Sequence, residues 1–586
     1  MEFQKGMDIS GLPELEDAGV QIKDFDGTVK DAFDLIAEYG VNSVRLRLWN
    51  NPENIEEAKG YCDYAHTLAM AKRIKAHGMS FMLDFHYSDF WADPGQQNKP
   101  AAWKELDFEA LKEAVFSFTR DTLSNLKAEG VQPDIVQIGN EIRSGLLFPD
   151  GELPDYPKMV QLVNAGIAGA RAVAGPEQMQ VMIHLDQGGR YFYLKEWFDK
   201  SFQEGLADFD LIGLSYYPFW HGTFADLKET LTKLLEDYHK PIMIVETAHA
   251  WRKSKQGFID EKQEKIAGVP ATPEGQRKVL DLVANIVASL PNEMGRGIYY
   301  WEPICIPREG EGGWPENMGL LDEDGRVMEG IRAFTFTREA YRGQEPAKLY
   351  EPEVIRMVHG EEPRLPQELS VLFYDGTIEK RPVRWENVPD GKSLGSFIVE
   401  GKVEGVSIPA HGTVEVVKEL PAAENLLTDA NWEDGLTQWE ITKSQEQVTV
   451  QLFPEFVDPF PAPPVNGLRV ESPRNFTFSV SQKVHLSKEG YYRLSVEFCG
   501  TDTTNVDVRL FLEGEEGLKE TTIHPTEHEW SLYEIDDIFC RPQEVTVGIR
   551  ISSPPVYGMM RRFCLSYTET EKNRWHSRLM DTIRII

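Results

Sequence analysis

The sequence predicts an α/β protein: a (β/α)8 TIM barrel followed by two all-β sandwich domains. Three observations carry this. Over roughly the first 335 residues, short β-branched or apolar runs alternate with longer amphipathic segments, and eight such units in about 300 residues is the size and rhythm of a barrel. From about residue 346 the helical spacing disappears and short alternating runs replace it. At 586 residues, the chain also exceeds what one hydrophobic core organises, so several domains are expected.

The eight runs that read as strands are FQKGMDIS, SVRLRLW, SFMLDFHY, DIVQIGN, QVMIHLD, FDLIGLSYY, KPIMIVET and RGIYYWEP. Between them lie segments such as GTVKDAFDLIAEYG, AHTLAMAKRIKAHG and ADLKETLTKLLEDYHK, with apolar residues three and four apart and glycine at several C-terminal ends. A doubly wound open sheet is the main rival, but no glycine-rich phosphate loop follows the first strand. The barrel is assigned residues 1–345. Residues 346–420 read as an immunoglobulin-like β domain, with Asp375-Gly376 placed as a hairpin turn between alternating strands. Residues 421–568 read as a larger β-sandwich of the carbohydrate-binding-module type, in which Trp432, Trp439 and Trp530 are the ring candidates, Trp439 being the one that suits a core. Residues 569–586 are left as a tail, helical or loose.

Composition narrows the function. With 61 basic against 95 acidic residues the formal net charge is −34, which disfavours nucleic acid and anionic membrane surfaces and favours a neutral or cationic ligand. No apolar run approaches the roughly 18 residues of a membrane span. The five cysteines show no CxxC pairing, and the pairings left open are Cys499 with Cys540 or with Cys564. The opening MEFQKGMDIS has no secretory signal, so the chain is expected in the cytoplasm as written, or outside the cell with its signal already removed.

The chemistry is expected at the C-terminal ends of the strands, the face where barrels build their sites. Asn140 and Glu141 end the fourth strand and Glu246 ends the seventh. Two carboxyl groups meeting across one barrel mouth are what a retaining glycosidase needs, one to protonate the departing oxygen and one to attack the anomeric carbon about 5 Å away. Close carboxylates resist double ionisation, and Arg45 on strand two is placed to keep Glu246 charged. The same mouth is rich in rings: His86, Tyr87, Phe90 and Trp91 after strand three, Tyr216, Tyr217 and Trp220 after strand six, and Trp301 with Glu302 at the end of strand eight. Packing under a loop is the alternative for any one of them, whereas clustering at three strand ends suits the flat C–H faces of sugars. No His-Cys-carboxylate spacing around His86 supports a metal, and no cofactor is expected.

Taken together, GMDISGLPELEDAGV, VRLRLWNNP, LDFHYSDFWADPGQQNKPAAW, QIGNEIRSGLLFPDG, GLSYYPFWHG, IVETAHAW and YYWEP strongly resemble family 53 of the glycoside hydrolases, the arabinogalactan endo-β-1,4-galactanases, over roughly residues 3–340. The resemblance implies a clan GH-A barrel that cleaves β-1,4-galactan with retention of configuration, with Glu141 as acid/base and Glu246 as nucleophile. It further implies that Arg45, His86, Asn140, Tyr216 and Trp301 line the subsite where the bond breaks. The segment VETAHAWRKSKQGFIDEKQEK departs from the calcium-binding loop of some members, so no structural calcium is expected there. GGWPENMGLL follows the family's Trp-Glu-Asn segment only loosely. The expected partner is β-1,4-galactan or galacto-oligosaccharides. The alternatives are a clan GH-A hydrolase of another β-linked glycan and a non-catalytic glycan-binding protein.

Overall fold

The computed structural model describes residues 2–569 apart from 260–262, 265–266, 308–312, 352–354, 361–364, 366, 418–424, 431, 433–437, 445–447, 456–464, 473–474, 487, 502–506, 526–529 and 554–555. Eight parallel strands close into a barrel in sequential order: β1 Gln4–Asp8, β2 Ser43–Leu48, β3 Ser80–Phe85, β4 Ile135–Ile138, β5 Gln180–Leu185, β6 Leu211–Ser215, β7 Ile242–Thr247 and β8 Gly295–Trp301. These are the eight runs read from the sequence. Apart from β1, which is QKGMD, they are largely apolar stretches because a parallel strand inside a ring of helices is buried on both faces.

The helices between them are α1 Ala32–Glu38, α2 Tyr64–Ala76, α3 Phe108–Ala128, α4 Tyr156–Arg171, α5 Tyr191–Gln203, α6 Phe224–Tyr238 and α7 Pro273–Ala288, and all but α5 begin where the sequence supplies a capping side chain. Asp31, Asp63, Asp107 and Asp155 each accept a backbone N–H of the first turn, and Thr223 with Asp226 forms a capping box. The eighth unit departs from the expected long helix: past β8 come one α-helical turn, Trp314–Asn317, and a 3₁₀ segment, Glu329–Thr335.

The barrel interior is layered. Met82, Ile135, Met182, Leu211, Met243, Val245 and Tyr299 form a buried apolar plug. Two residues further along β3, β4 and β5 the same inward face carries Asp84, Gln137 and His184, because side chains of one face recur every second residue. The plug therefore turns polar toward the C-terminal rim. Gly6 makes it close: the Tyr299 ring lies where a β-carbon would stand, 2.0 Å away.

The chain divides into two compact units, residues 1–348 with 371–379, and 349–370 with 380–586. Past the barrel, six strands between Pro346 and Val417 form one sheet, its core Val399, Val414 and Val416. Asp375 and Gly376 make the turn between Glu368–Phe373 and Ile378–Glu386, with Gly376 at φ 83° and its N–H donated to the Phe373 carbonyl. Two further five-stranded sheets bury one apolar cluster.

Trp432 sits inside that cluster beside Trp439 and Phe563, with ring centroids 5.6 and 6.1 Å away. Reading Trp432 as a ligand-facing ring is thereby corrected, and Trp439 is core as anticipated. Trp530 lies half-buried under the Arg561 guanidinium, 3.9 Å from the ring.

Neither pairing left open for Cys499 forms, all three thiols being free. Cys564 pairs in register with Ser495, four residues from Cys499 and so about 13 Å along the strand, beyond the roughly 7 Å a disulfide spans. Cys540 lies opposite Gly490, further still. The tail beyond residue 569 lies outside the described residues.

Candidate active site

Strand β4 ends in Gly139-Asn140-Glu141. Gly139 takes φ 80°, where a β-carbon would strike Ile142 at 2.5 Å, and Glu141 itself is left-handed at φ 48°, ψ 50°. A non-glycine residue held there stores roughly 1–3 kcal/mol of strain. The turn brings Asn140 and Glu141 onto the wall of a cavity of about 460 Å³ at the C-terminal mouth of the barrel. Glu246 reaches the same cavity from β7.

One cation organises the floor. The Arg45 side chain, 1% exposed, donates to Asp8 at 2.8 Å, Asp84 at 2.9 Å and the Asn140 Oδ1 at 2.8 Å, and pairs with Glu246 Oε1 at 3.0 Å. The Tyr217 hydroxyl donates to the other Glu246 oxygen at 3.1 Å. His86 accepts the Ala92 N–H on Nδ1 at 3.0 Å, so its Nε2, 3.0 Å from Asp84, carries the hydrogen. Full burial opposes ionisation of Asp84, yet Arg45 and His86 hold its carboxyl below the usual range.

The two glutamates sit in different fields. Burial pushes Glu141 well above the ordinary carboxylate range, and the charges of Glu246 and Asp186 push the same way against a hydrogen bond from Ser215. Burial also lifts Glu246, to about 7, but there Arg45 and Tyr217 work for the ionised form against Asp84 and Asp8. Glu141 is the proton holder of the pair and Glu246 the group with a cation at its side.

Rings build the opposite wall edge to face: Trp91 to Trp301 at 5.7 Å, Trp301 to Trp314 at 4.3 Å, Trp314 to Phe258 at 5.3 Å and Phe258 to Trp220 at 5.7 Å. Trp91 is backed by the Arg47 guanidinium 4.2 Å away, which in turn pairs with Glu302.

Of the ten residues expected here, His86, Trp91, Asn140, Glu141, Tyr217, Trp220, Glu246 and Trp301 line the cavity. Arg45 lies beneath it. Tyr216 is turned away: fully buried, its hydroxyl donates to the Gly222 carbonyl at 2.9 Å. Neighbours in an extended segment point to opposite sides, so only one of the tyrosines after β6 faces the mouth.

Sequence reasoning missed Asp186, Asp93, His221 and Phe258 on the wall. Asp186 was findable, being an acid just past the end of β5 as Glu246 is an acid at the end of β7. Phe258 comes from a loop without periodicity and is placed by the buried Asn317, whose Oδ1 accepts the Phe258 N–H while its Nδ2 donates to the Arg252 and Ile259 carbonyls. Among the described residues, the acid–histidine cluster able to gather round a cation is Asp31, Asp34 and His77, exposed on α1 and at the end of α2. The expectation about a calcium loop falls partly on 260–262 and 265–266, outside the described residues.

Comparison with known proteins decides the family. The model of glycosyl hydrolase family 53 matches residues 4–334, more than half of the chain. The chain belongs to this family. A second model, the bacterial Ig-like domain (group 4), matches residues 351–406.

Among similar proteins, the Niallia circulans protein named "Uncharacterized protein in bgaB 5'region" is 38% identical over 348 residues, 56% of this chain and 93% of its own length. A probable arabinogalactan endo-beta-1,4-galactanase A of Aspergillus terreus is 37% identical over 322 residues, 54% and 87% of the two chains. The solved GH53 catalytic domain of Ignisphaera aggregans superposes with a TM-score of 0.54 at 34% identity, covering 57% of this chain and 95% of that one. All three likenesses fall short of the full length of this chain.

Proposed function

We propose that this chain hydrolyses β-1,4-galactosidic bonds of galactan or galacto-oligosaccharides with retention, Glu141 acting as acid/base and Glu246 as nucleophile. The observation that carries the reading is the presence of these two carboxyls on one ring-walled cavity in unlike fields, within a family whose relatives carry the name galactanase. The neutral Glu141 donates its proton to the glycosidic oxygen as the bond breaks. Glu246, its charge shared with Arg45 and Tyr217, attacks the anomeric carbon and forms a glycosyl ester. Glu141, ionised once its proton has left with the departing sugar, stays ionised because esterification removes the Glu246 charge that had favoured its neutral form, and it then takes a proton from the water that releases the sugar. Asn140, whose amide has one hydrogen beyond that given to the Ala92 carbonyl, holds a hydroxyl beside the reacting carbon, His86 lines the wall with both ring nitrogens engaged, and the line of tryptophans offers faces for the sugar rings.

The test is release of reducing sugar from linear β-1,4-galactan beside xylan, mannan and arabinan. Wild type is expected to act on galactan. Glu141→Gln is expected to lose about 10²–10⁴-fold of that rate, and Glu246→Gln more. Undiminished activity of either variant removes the assigned role, and activity confined to another glycan replaces the substrate.

A further inference from the structure

A second buried guanidinium lies beyond the Arg45 layer. Residues of one strand face recur every second position, so Arg47 stands on β2 one layer nearer the rim than Arg45, and it is 7% exposed. The bond-breaking steps proposed above do not use it. Its Nη1 pairs with the Glu302 carboxylate, and its guanidinium carbon lies 4.2 Å from the centre of the Trp91 ring and 5.3 Å from that of Trp49. One fork thus holds a carboxylate from the end of β8 and a ring from the loop after β3.

Each end of that clamp adjoins the cavity. Trp91 lines it directly, and Glu302 follows Trp301, which lines it too. The two indoles meet at 5.7 Å with their planes 64° apart. With the guanidinium against one face, Trp91 has its other side to offer a ligand. The surroundings fit the pair: at Gly11 a β-carbon would stand 3.0 Å from Glu302 Oε2, so glycine leaves the carboxylate its room. Trp49 meets Trp91 edge to face at 5.3 Å and forms a buried cluster with Ala58 and Cys62. A cation–ring contact sealed from water in this way is at the strong end of its range.

We propose that Arg47 is a positioning residue for substrate binding: by stacking on Trp91 and pairing with Glu302 it holds Trp91 and Trp301 as one surface against which a galactose ring rests. This rests on the galactanase reading above. Two rings serve one sugar only while the angle between them is kept. The planar guanidinium keeps it because the same group engages both partners, whereas a lysine would offer a point charge with no plane to stack. The contribution is to binding, not to bond breaking. A second route runs through Asp8, which lies 3.9 Å from Arg47 Nη1 and accepts from Arg45 at 2.8 Å. That route would act on kcat and on the acid limb of the pH profile; the platform acts on KM.

The experiment measures kcat and KM on β-1,4-galactan for wild type, Arg47→Met, Glu302→Gln and the double variant, with folding checked by circular dichroism. It adds the Kd of β-1,4-galactotriose, read from tryptophan fluorescence in a Glu246→Gln background. Each single variant is expected to raise KM and Kd about three- to tenfold while kcat changes less than about twofold. The double variant is expected to do no more than either, because both changes open the same clamp. Arg47→Lys, which keeps the charge and loses the plane, should fall between wild type and Arg47→Met. The double variant removes both buried charges together, so it supplies the readout if a single variant, left with one charge unpaired, does not fold. Unchanged KM and Kd in folded variants overturn the inference, as do fully additive effects or a fall in kcat with a displaced acid limb. Failure of the parent reading is distinct, since wild type itself would then neither bind nor cleave galactan.

Discussion

At the residue scale, Arg45 does the sorting. One buried guanidinium faces Asp8, Asp84 and Glu246, so the carboxylate nearest the cavity shares its compensation with two others. Removing partial compensation should therefore be visible in titration. Tyr217→Phe deletes the donor to Glu246 and leaves Arg45 in place. A hydrogen bond to the charged form favours it, so losing one raises the Glu246 pKa from its present value of about 7 and the ionised nucleophile appears only at higher pH. The acid limb of kcat/KM is expected to shift upward, by up to about one unit. A downward shift would mean the hydroxyl serves another partner.

At the scale of elements, the barrel strands were legible because burial on both faces leaves apolar runs that no surface helix shares, and the two glutamates because a strand end is a position periodicity can locate. The polar layer beneath them was not. Gln137, His184 and Ser215 are single polar residues inside apolar runs, and only closure of the barrel brings them together. Tyr216 and Tyr217 were inseparable for a similar reason: the run past β6 gives no register once the strand ends.

Phe258 belongs to the same class, since a loop carries no period. Its position depends on Asn317, so Asn317→Ala is expected to raise KM severalfold with kcat little changed, and to lower stability by about 1–3 kcal/mol through unpaired buried groups. KM measured on galactan beside a urea melt checks both. Gly6→Ala probes the plug: its methyl would overlap the Tyr299 ring, and a loss of about 1–3 kcal/mol is expected in the same melt. An unchanged midpoint would show that the ring can move aside.

For the whole molecule, the chain couples a family 53 barrel to β-rich sequence that matches a bacterial Ig-like model over residues 351–406. The net charge of −34 excludes little about a neutral glycan and predicts one thing: no electrostatic steering. Between about 20 and 500 mM salt, kcat/KM on galactan is expected to change less than about twofold, since screening acts only where both partners are charged. A steep salt dependence would point to a charged substrate.

The direct test of the central claim is a mass map of the trapped intermediate. Incubation of Glu141→Gln with a 2-deoxy-2-fluoro-β-galactosyl fluoride, whose leaving group needs no acid, should leave the sugar on the peptide that contains Glu246. Label on any other residue, or no label with products of inverted configuration, would contradict it.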